Sequence, residues 1–310
     1  MMPVSNLTLL GSIMKNGDKF WLVLQNQSFD PFPTFGAAKE QVRRNMPQKE
    51  ILYRGDESKT LIFTTAYTPQ APVPIPGTTN GWRADKAIVD KYGSVLQVDA
   101  FAGNYSLYQS NSALAPSYNG NYFGGKGGLS FSGDQYMSAP GGLAGVFGSV
   151  ADVNKFSVAW VEFLPRSSED RTLFSAYDSA TPANVVSVSP WTSIRPANGL
   201  SMSRSQNGAS EDFQSDVDAY ETGAHAWLAS YSEGQVIFVR DGVSAGIVTP
   251  IVTPGSAALD TFLLGIDPAL STGLKGTIGE FSVSNKYVTL SDALPWFRYA
   301  SSYYGTPAPR

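Results

Sequence analysis

The chain has 310 residues, of which 42% are hydrophobic and only 15% are charged, against a usual charged share of about 25%. Its net charge is −4, and Lys and Arg cluster no further than pairs such as Arg43-Arg44, which excludes phosphate-led nucleic-acid binding. There is no cysteine, which excludes disulfides, thiolate metal sites and cysteine nucleophiles and points to assembly in a reducing cytoplasm.

In chain order, the first predicted elements are the short apolar runs Leu7 to Leu10 and Phe20 to Leu24, joined at Asn16-Gly17, a strong hairpin signal. Phe35 to Met46 reads as a helix, with Ala38, Val42 and Met46 near helical spacing and Pro47 as its stop. A second hairpin runs Glu50 to Arg54, turns at Gly55-Asp56 and returns over Thr60 to Tyr67. Residues 1–67 thus read as a small ββαββ domain. Residues 68–81 alternate proline with other residues and read as a polyproline-like spacer of roughly 40 Å. Residues 1–81 carry a net charge of +2 and residues 82–310 one of −6, which supports a boundary there.

From Trp82 onward, short strand signals recur with turns between them. Gly128 to Phe131 and Gln135 to Met137 flank Gly133-Asp134, which reads as a hairpin turn. Phe156 to Phe163 is apolar at nearly every position, as a strand buried on both faces should be. Leu173 to Tyr177, Val185 to Val188 and Leu200 to Ser205 follow. Ala226 to Tyr231 and Val236 to Arg240 flank Ser232-Glu233-Gly234, and Asp241-Gly242 turns into Val243 to Ile247. Phe262 to Ile266 and Thr277 to Val283 come last. Such spacing is that of a β-sandwich. The end reads as one helix, with Ser291 as N-cap, Pro295 in its first turn and Gly305 as its stop.

Ordered phrases over about residues 82–305 resemble the concanavalin A-like (laminin G-like) family of bacterial and phage type. They are Trp82-Arg83-Ala84-Asp85, Val95 to Asp99 with Gly103-Asn104, Gly128 to Tyr136, Arg240-Asp241-Gly242, and Leu274 to Val283 with Leu290-Ser291-Asp292 and Tyr303-Tyr304-Gly305. Val98 stands where the family often has Trp. The resemblance implies a mainly β fold, a concanavalin A-like jelly-roll sandwich with a C-terminal helix, covering residues 82–310.

Some members of this superfold hydrolyse glucans with two carboxylates about 5–5.5 Å apart, written Glu-x-Asp-x-x-Glu on one strand. No such phrase exists here, and Glu211-Asp212 with Asp216 and Asp218 reads as a solvated loop. His225 is the single histidine and reads as a strand-edge residue. Gly124 to Gly128 lacks the phrase and helix of a phosphate loop. Glu280 reads as structural. The expectation is a binding protein rather than an enzyme.

The resemblance implies glycan binding by loop residues, for which the candidates are Asp178, Trp191, Asn207 and Asp212, all in predicted loops. It also allows a calcium ion held by Asp and carbonyl oxygens. Resemblance and domain layout together suggest a virion appendage or decoration protein, from a bacteriophage. Residues 1–67 would seat it on other virion proteins, and the sandwich would meet a host-surface polysaccharide. Met1 to Leu10 lacks the basic and apolar parts of an export signal, and no run reaches the roughly 18 apolar residues of a membrane span, so no membrane insertion is expected. A homo-oligomer stays open, as do the rival readings of a capsid or tail decoration without ligand and of a polysaccharide-degrading enzyme.

Overall fold

The computed structural model describes residues 7–24, 27–45, 51–65, 71–90, 92–120, 122–123, 126–139, 146, 155–165, 171–190, 199–206, 209–219, 223–232, 234–250 and 259–309. The chain divides into two compact units, Met1–Ala71 and Pro72–Arg310.

In the first unit the strands are β1 (Leu7–Asn16), β2 (Lys19–Leu24), β3 (Gln27–Ser28), β4 (Ile51–Gly55) and β5 (Lys59–Thr65), with helix α1 (Phe35–Asn45) between β3 and β4. They form one antiparallel sheet in the order β3-β2-β1-β5-β4, so the two expected hairpins are present and a short third strand extends the first. Gly17 turns the first hairpin at φ 63°, a left-handed conformation that favours glycine. Thr34 caps α1 by accepting from the Ala37 amide at 3.1 Å. Ala38 and Val42, one turn apart, bury with Ile13, Phe20, Leu22, Leu24 and Ile62. On the other face of the sheet Met14 and Trp21 stand opposite each other and are about 40% exposed.

The second unit begins within the proline-rich stretch. Ile75 is buried in its core with Val73 packed beside it, and the first strand, β6, spans Thr78–Val89. Residues 72–81 are therefore part of the folded unit, because Val73 and Ile75 are apolar side chains with a surface to cover. The strands that follow are β7 (Val95–Ala102), β8 (Leu107–Tyr108), β9 (Ser117–Asn119), β10 (Gly128–Ser132), β11 (Met137–Ala139), β12 (Lys155–Phe163) and β13 (Phe174–Asp178). Then come β14 (Thr181–Pro190), β15 (Leu200–Gln206), β16 (Ala209–Gln214), β17 (His225–Ser232), β18 (Gln235–Arg240), β19 (Val243–Val248), β20 (Thr261–Leu264), β21 (Lys275–Ser284) and helix α2 (Leu290–Tyr304).

Among the described residues they pair in the order β16-β15-β14-β13-β20-β11-β8-β7-β6-β21-β12-β17-β18-β19, with β9 and β10 branching from β21. The path folds over on itself until its ends meet, where the Asp216 amide donates to the Ala245 carbonyl at 2.6 Å. This is the expected jelly-roll sandwich. The expected hairpin at Gly133-Asp134 is not formed: β10 pairs with β9 and β21, whereas β11 pairs with β8 and β20, so this loop crosses between different parts of the path. Phe131 and Met137 still both enter the core, which is the feature that the sequence pattern carried.

Strand β12 is buried on both faces, as its apolar run predicts. Phe156, Val158 and Trp160 enter the sandwich core, and Ala159 and Val161 face the cluster beneath α2. Its partner β17 does the same with Trp227, Ala229 and Tyr231 on one side and Ala226 and Leu228 on the other. Trp160 and Trp227 stack across the pair with centroids 6.2 Å apart. Filling both faces gives these central strands the largest share of hydrophobic stabilisation, on the order of 2 kcal/mol for each large side chain fully buried.

Helix α2 starts two residues earlier than the sequence suggests. Its N-cap is Thr289, which accepts from the Asp292 amide while the Asp292 carboxylate accepts from the Thr289 amide, a reciprocal capping box. Ser291 lies inside the helix, and Pro295 falls in the second turn, where it has no N–H for the Ser291 carbonyl. Gly305 ends the helix at φ 75°, as expected.

The helix is fastened by one buried carboxylate. Glu280 on β21 accepts from Trp296 Nε1 at 3.0 Å and from the hydroxyls of Tyr299 and Tyr304 at 2.9 Å each. Arg83 on β6 donates to the Tyr299 hydroxyl at 3.2 Å and grips Asp85 through Nε and Nη2 at 2.7 and 2.6 Å. Burial raises the Glu280 carboxyl above its ordinary pKa, and the three donors oppose that rise. Glu280→Ala strands these donors and should cost about 3–5 kcal/mol, whereas Tyr304→Phe should cost about 1 kcal/mol. Urea unfolding of both variants checks this ranking; equal losses would contradict it.

Candidate functional site

Of the four sequence candidates, the two among the described residues, Asp178 and Asp212, do not converge. Asp178 ends β13 and accepts from the Ala180 amide at 2.9 Å, so it shapes the turn into β14. Asp212 is not in a loop: it lies in β16, outward, and accepts from the Ser203 hydroxyl on β15 across the pair. The polar run Glu211-Asp212 reads as a loop, yet every residue of β16 is paired with β15, and β16 needs only its alternate residue Phe213 in the core. Two strands separate Asp178 from Asp212. Trp191 and Asn207 lie outside the described residues.

A more promising surface is a transverse row on the outer face. Ile88 on β6 pairs with Gln97 on β7, Gln97 with Tyr108 on β8, and Tyr108 with Ser138 on β11. The neighbours one residue away point inward: Val98, Leu107, Met137 and Ala139 are all buried in the core. That alternation forces Tyr108 outward, where it is 43% exposed beside the exposed Ile88. Gln97 Nε2 donates to Asp99 Oδ1 at 2.6 Å, and the Ser106 hydroxyl donates to the same oxygen at 3.2 Å. An exposed aromatic ring is thereby flanked by a fixed carboxylate, an amide and the Ser138 hydroxyl. Sequence reading missed it because a strand of two residues shows no periodicity. The structure alone shows the inward-outward-inward order of Leu107, Tyr108 and Gln109, because nothing in Leu-Tyr-Gln marks the glutamine as buried.

A second polar feature is a cleft of about 600 Å³ between the β10–β11 and β20–β21 connections, lined by Ser132, Asp134, Ser271, Thr272 and Lys275 with Gly133 and Gly273. Asp267 sets one wall by accepting from the Ser271 and Thr272 amides at 2.6 and 2.9 Å.

The third lies at the end of the inner face of β12, β17 and β18. His225 is the first residue of β17, at the strand's edge as expected, and because β17 runs between β12 and β18 it is only 7% exposed. Its Nδ1 hydrogen-bonds Asp241 Oδ2 at 2.6 Å, and Asp241 Oδ1 accepts from the Ala226 amide at 2.8 Å. Glu162, the cross-strand partner of His225, accepts from Trp160 Nε1 at 2.6 Å. Among the described residues His225 Nε2, itself buried, has no hydrogen-bond partner.

Burial pushes the Glu162 carboxyl up to about 8, against the indole N–H groups of Trp160 and Trp227; Asp241 adds to the rise and Arg240 opposes it. The folded state therefore holds a proton that the unfolded chain releases between pH 4.5 and about 8, and stability falls as pH rises through that window. The slope has an upper limit of about 1.4 kcal/mol per pH unit. Glu162→Gln should remove this decline, gaining on the wild type from pH 5 to pH 8 in thermal melts. Parallel curves across that window would rule out the assignment.

Two solved structures share this fold. One is domain 4 of AbnA, a GH43 extracellular arabinanase from Geobacillus stearothermophilus, in complex with arabinotriose (TM-score 0.51, 17% identity, 69% of this chain and 95% of that chain). The other is the binding domain of botulinum neurotoxin DC in complex with SialylT (TM-score 0.50, 12% identity, 72% of this chain and 52% of that chain, about half of that domain). No family model matches the chain, and no curated protein matches it. The second unit is a jelly-roll sandwich, the fold it shares with these two structures. At these identities the likeness is one of fold.

Proposed function

We propose that the second unit binds glycan chains on its outer face at Tyr108 and does so without cleaving them. The observation that carries this reading is the exposed Tyr108 ring set beside Asp99, Gln97 and Ser138. An aromatic face takes the apolar C–H side of a sugar ring, and the carboxylate, amide and hydroxyl take its hydroxyl groups. Domain 4 of AbnA and the neurotoxin DC binding domain, of like fold, are complexes with arabinotriose and SialylT, which adds support. The missing Glu-x-Asp-x-x-Glu phrase favours binding over hydrolysis.

The wider proposal is a virion-surface protein, of bacteriophage type, assembled in the host cytoplasm, with the first unit seated on other virion proteins. The separation into two compact units, the cysteine-free sequence and the exposed Met14 and Trp21 support it.

Affinity electrophoresis against a panel of soluble bacterial polysaccharides tests the binding reading. At least one should retard the full chain, with Tyr108→Ala or Asp99→Ala weakening retention about tenfold, or ~1.4 kcal/mol. Unchanged retention in both variants would sink the Tyr108 face, and released reducing sugar would sink the non-enzymatic reading. For the wider proposal, immunogold labelling should find the full chain on purified particles and not a form lacking residues 1–71. Absence of both from particles would overturn it.

A further inference from the structure

The outer face beside Tyr108 continues along β7. Val98 and Ala100 pack in the core, so Gln97 and Asp99 point outward between them. Tyr108 stands beside Gln97 across the β7–β8 pair, and Ser106 reaches Asp99. At the far end β7 bulges. Trp82 pairs with Ala100 and Gly81 with Ala102, which leaves Phe101 as the extra residue. A bulge re-aims the side chain it carries. Phe101 lies roughly 13 Å along the strand from Gln97.

Phe101 is placed by a glycine. A Cβ on Gly81 of β6 would lie 2.5 Å from Phe101 Cζ and 2.9 Å from both Cε atoms. Two equal distances, barely longer than the first, put that Cβ beneath the face of the ring rather than at its edge. The ring therefore lies flat over Gly81, on the side of the sheet opposite the core residue Trp82. Phe101 is half-buried and belongs to neither apolar cluster of this unit. One side of the ring covers the backbone and the other is left for the surface. The strand end that carries it is pinned: Asn80 Oδ1 accepts from the Tyr105 amide at 3.2 Å, and Trp82 Nε1 donates to the Tyr105 carbonyl at 2.6 Å. Asp99 sits between Tyr108 and Phe101 and is exposed. Gln97 and Ser106 both donate to its Oδ1, so Oδ2 remains to accept from a ligand hydroxyl. Two aromatic faces with a carboxylate between them form a row on paired strands. A single sugar ring cannot reach both ends of it, whereas a chain of several rings can.

We propose that Phe101 is a second stacking position, and that the row from Tyr108 through Asp99 to Phe101 takes a stretch of several rings of a linear glycan rather than a single sugar. This rests on the glycan reading of Tyr108 and adds to it the form and length of the ligand. The fixed bulge and the pinned turn set the second ring before any ligand arrives, so little order is lost when a chain settles on both.

The test is retention of the full chain in gels of soluble dextran, arabinan, xylan or mannan, with the disaccharide and the hexasaccharide of each polymer as competitors. For at least one retaining polymer the hexasaccharide should release the wild type at about tenfold lower concentration than the disaccharide. Phe101→Leu still covers Gly81, so it should keep the wild-type melting temperature, but it has no ring face. In that variant the two competitors should become equally potent, with the disaccharide unchanged. Phe101→Tyr, which keeps a ring, should keep the preference for length. Equal potency of the two competitors against the wild type, which needs no variant, overturns the extended row while Tyr108 stands. So does a preference for length that survives Phe101→Leu. No retention by any of these polymers, or retention untouched by Tyr108→Ala, ends the Tyr108 reading and this one with it.

Discussion

Glu280 is buried, and it gathers the Trp296 indole and two tyrosine hydroxyls from a helix whose other ties are apolar packing and a few longer polar contacts, from Arg83 to Tyr299, Tyr303 to Asp85 and Tyr304 to the Gly279 carbonyl. Apolar packing is tolerant of sliding, whereas three directed hydrogen bonds to one carboxylate fix both rotation and height of the helix. Once α2 is placed, Ala159, Val161, Ala226 and Leu228 have a cover, and β12 and β17 can be apolar on both faces. Through Tyr299 and Arg83 the same network reaches β6. The position of the first strand of the sandwich and of its last helix are thus settled by one cluster.

That cluster also frees the other half of the sandwich. With the helix covering β12, β17, β18 and β21, the outer face of β7, β8 and β11 keeps exposed side chains such as Tyr108. The division of labour, one sheet face closed by a helix and one open, sets the proposed binding face on rigid strands rather than on loops alone. The interior end of the closed half holds the His225, Asp241 and Glu162 group instead.

Strands whose burial is two-sided were legible in the sequence, because runs such as Phe156 to Phe163 leave no other reading. Turns that demand particular residues were legible too, at Asn16-Gly17, Ser232 to Gly234 and Asp241-Gly242. Pairing was not: Gly133-Asp134 has turn chemistry but joins strands with different partners, and no local signal distinguishes the two cases. β16 was hidden because only Phe213 of its six residues is an inward anchor. The Thr289 cap was hidden behind Ser291, an equally good capping residue two positions on. The candidate site suffered most. Its residues were sought in loops, whereas Tyr108, Gln97 and Ser138 are ordinary strand residues that become neighbours only through long-range pairing.

Position 241 illustrates how two local demands combine. A left-handed backbone is open to Gly, Asn and Asp. Accepting at once from an imidazole N–H and a backbone amide is met by the two oxygens of Asp; Gly offers neither, and Asn would need the other imidazole tautomer. One side chain thus serves the backbone of the hairpin and its tie to β17 together, so a substitution at 241 disturbs both at once.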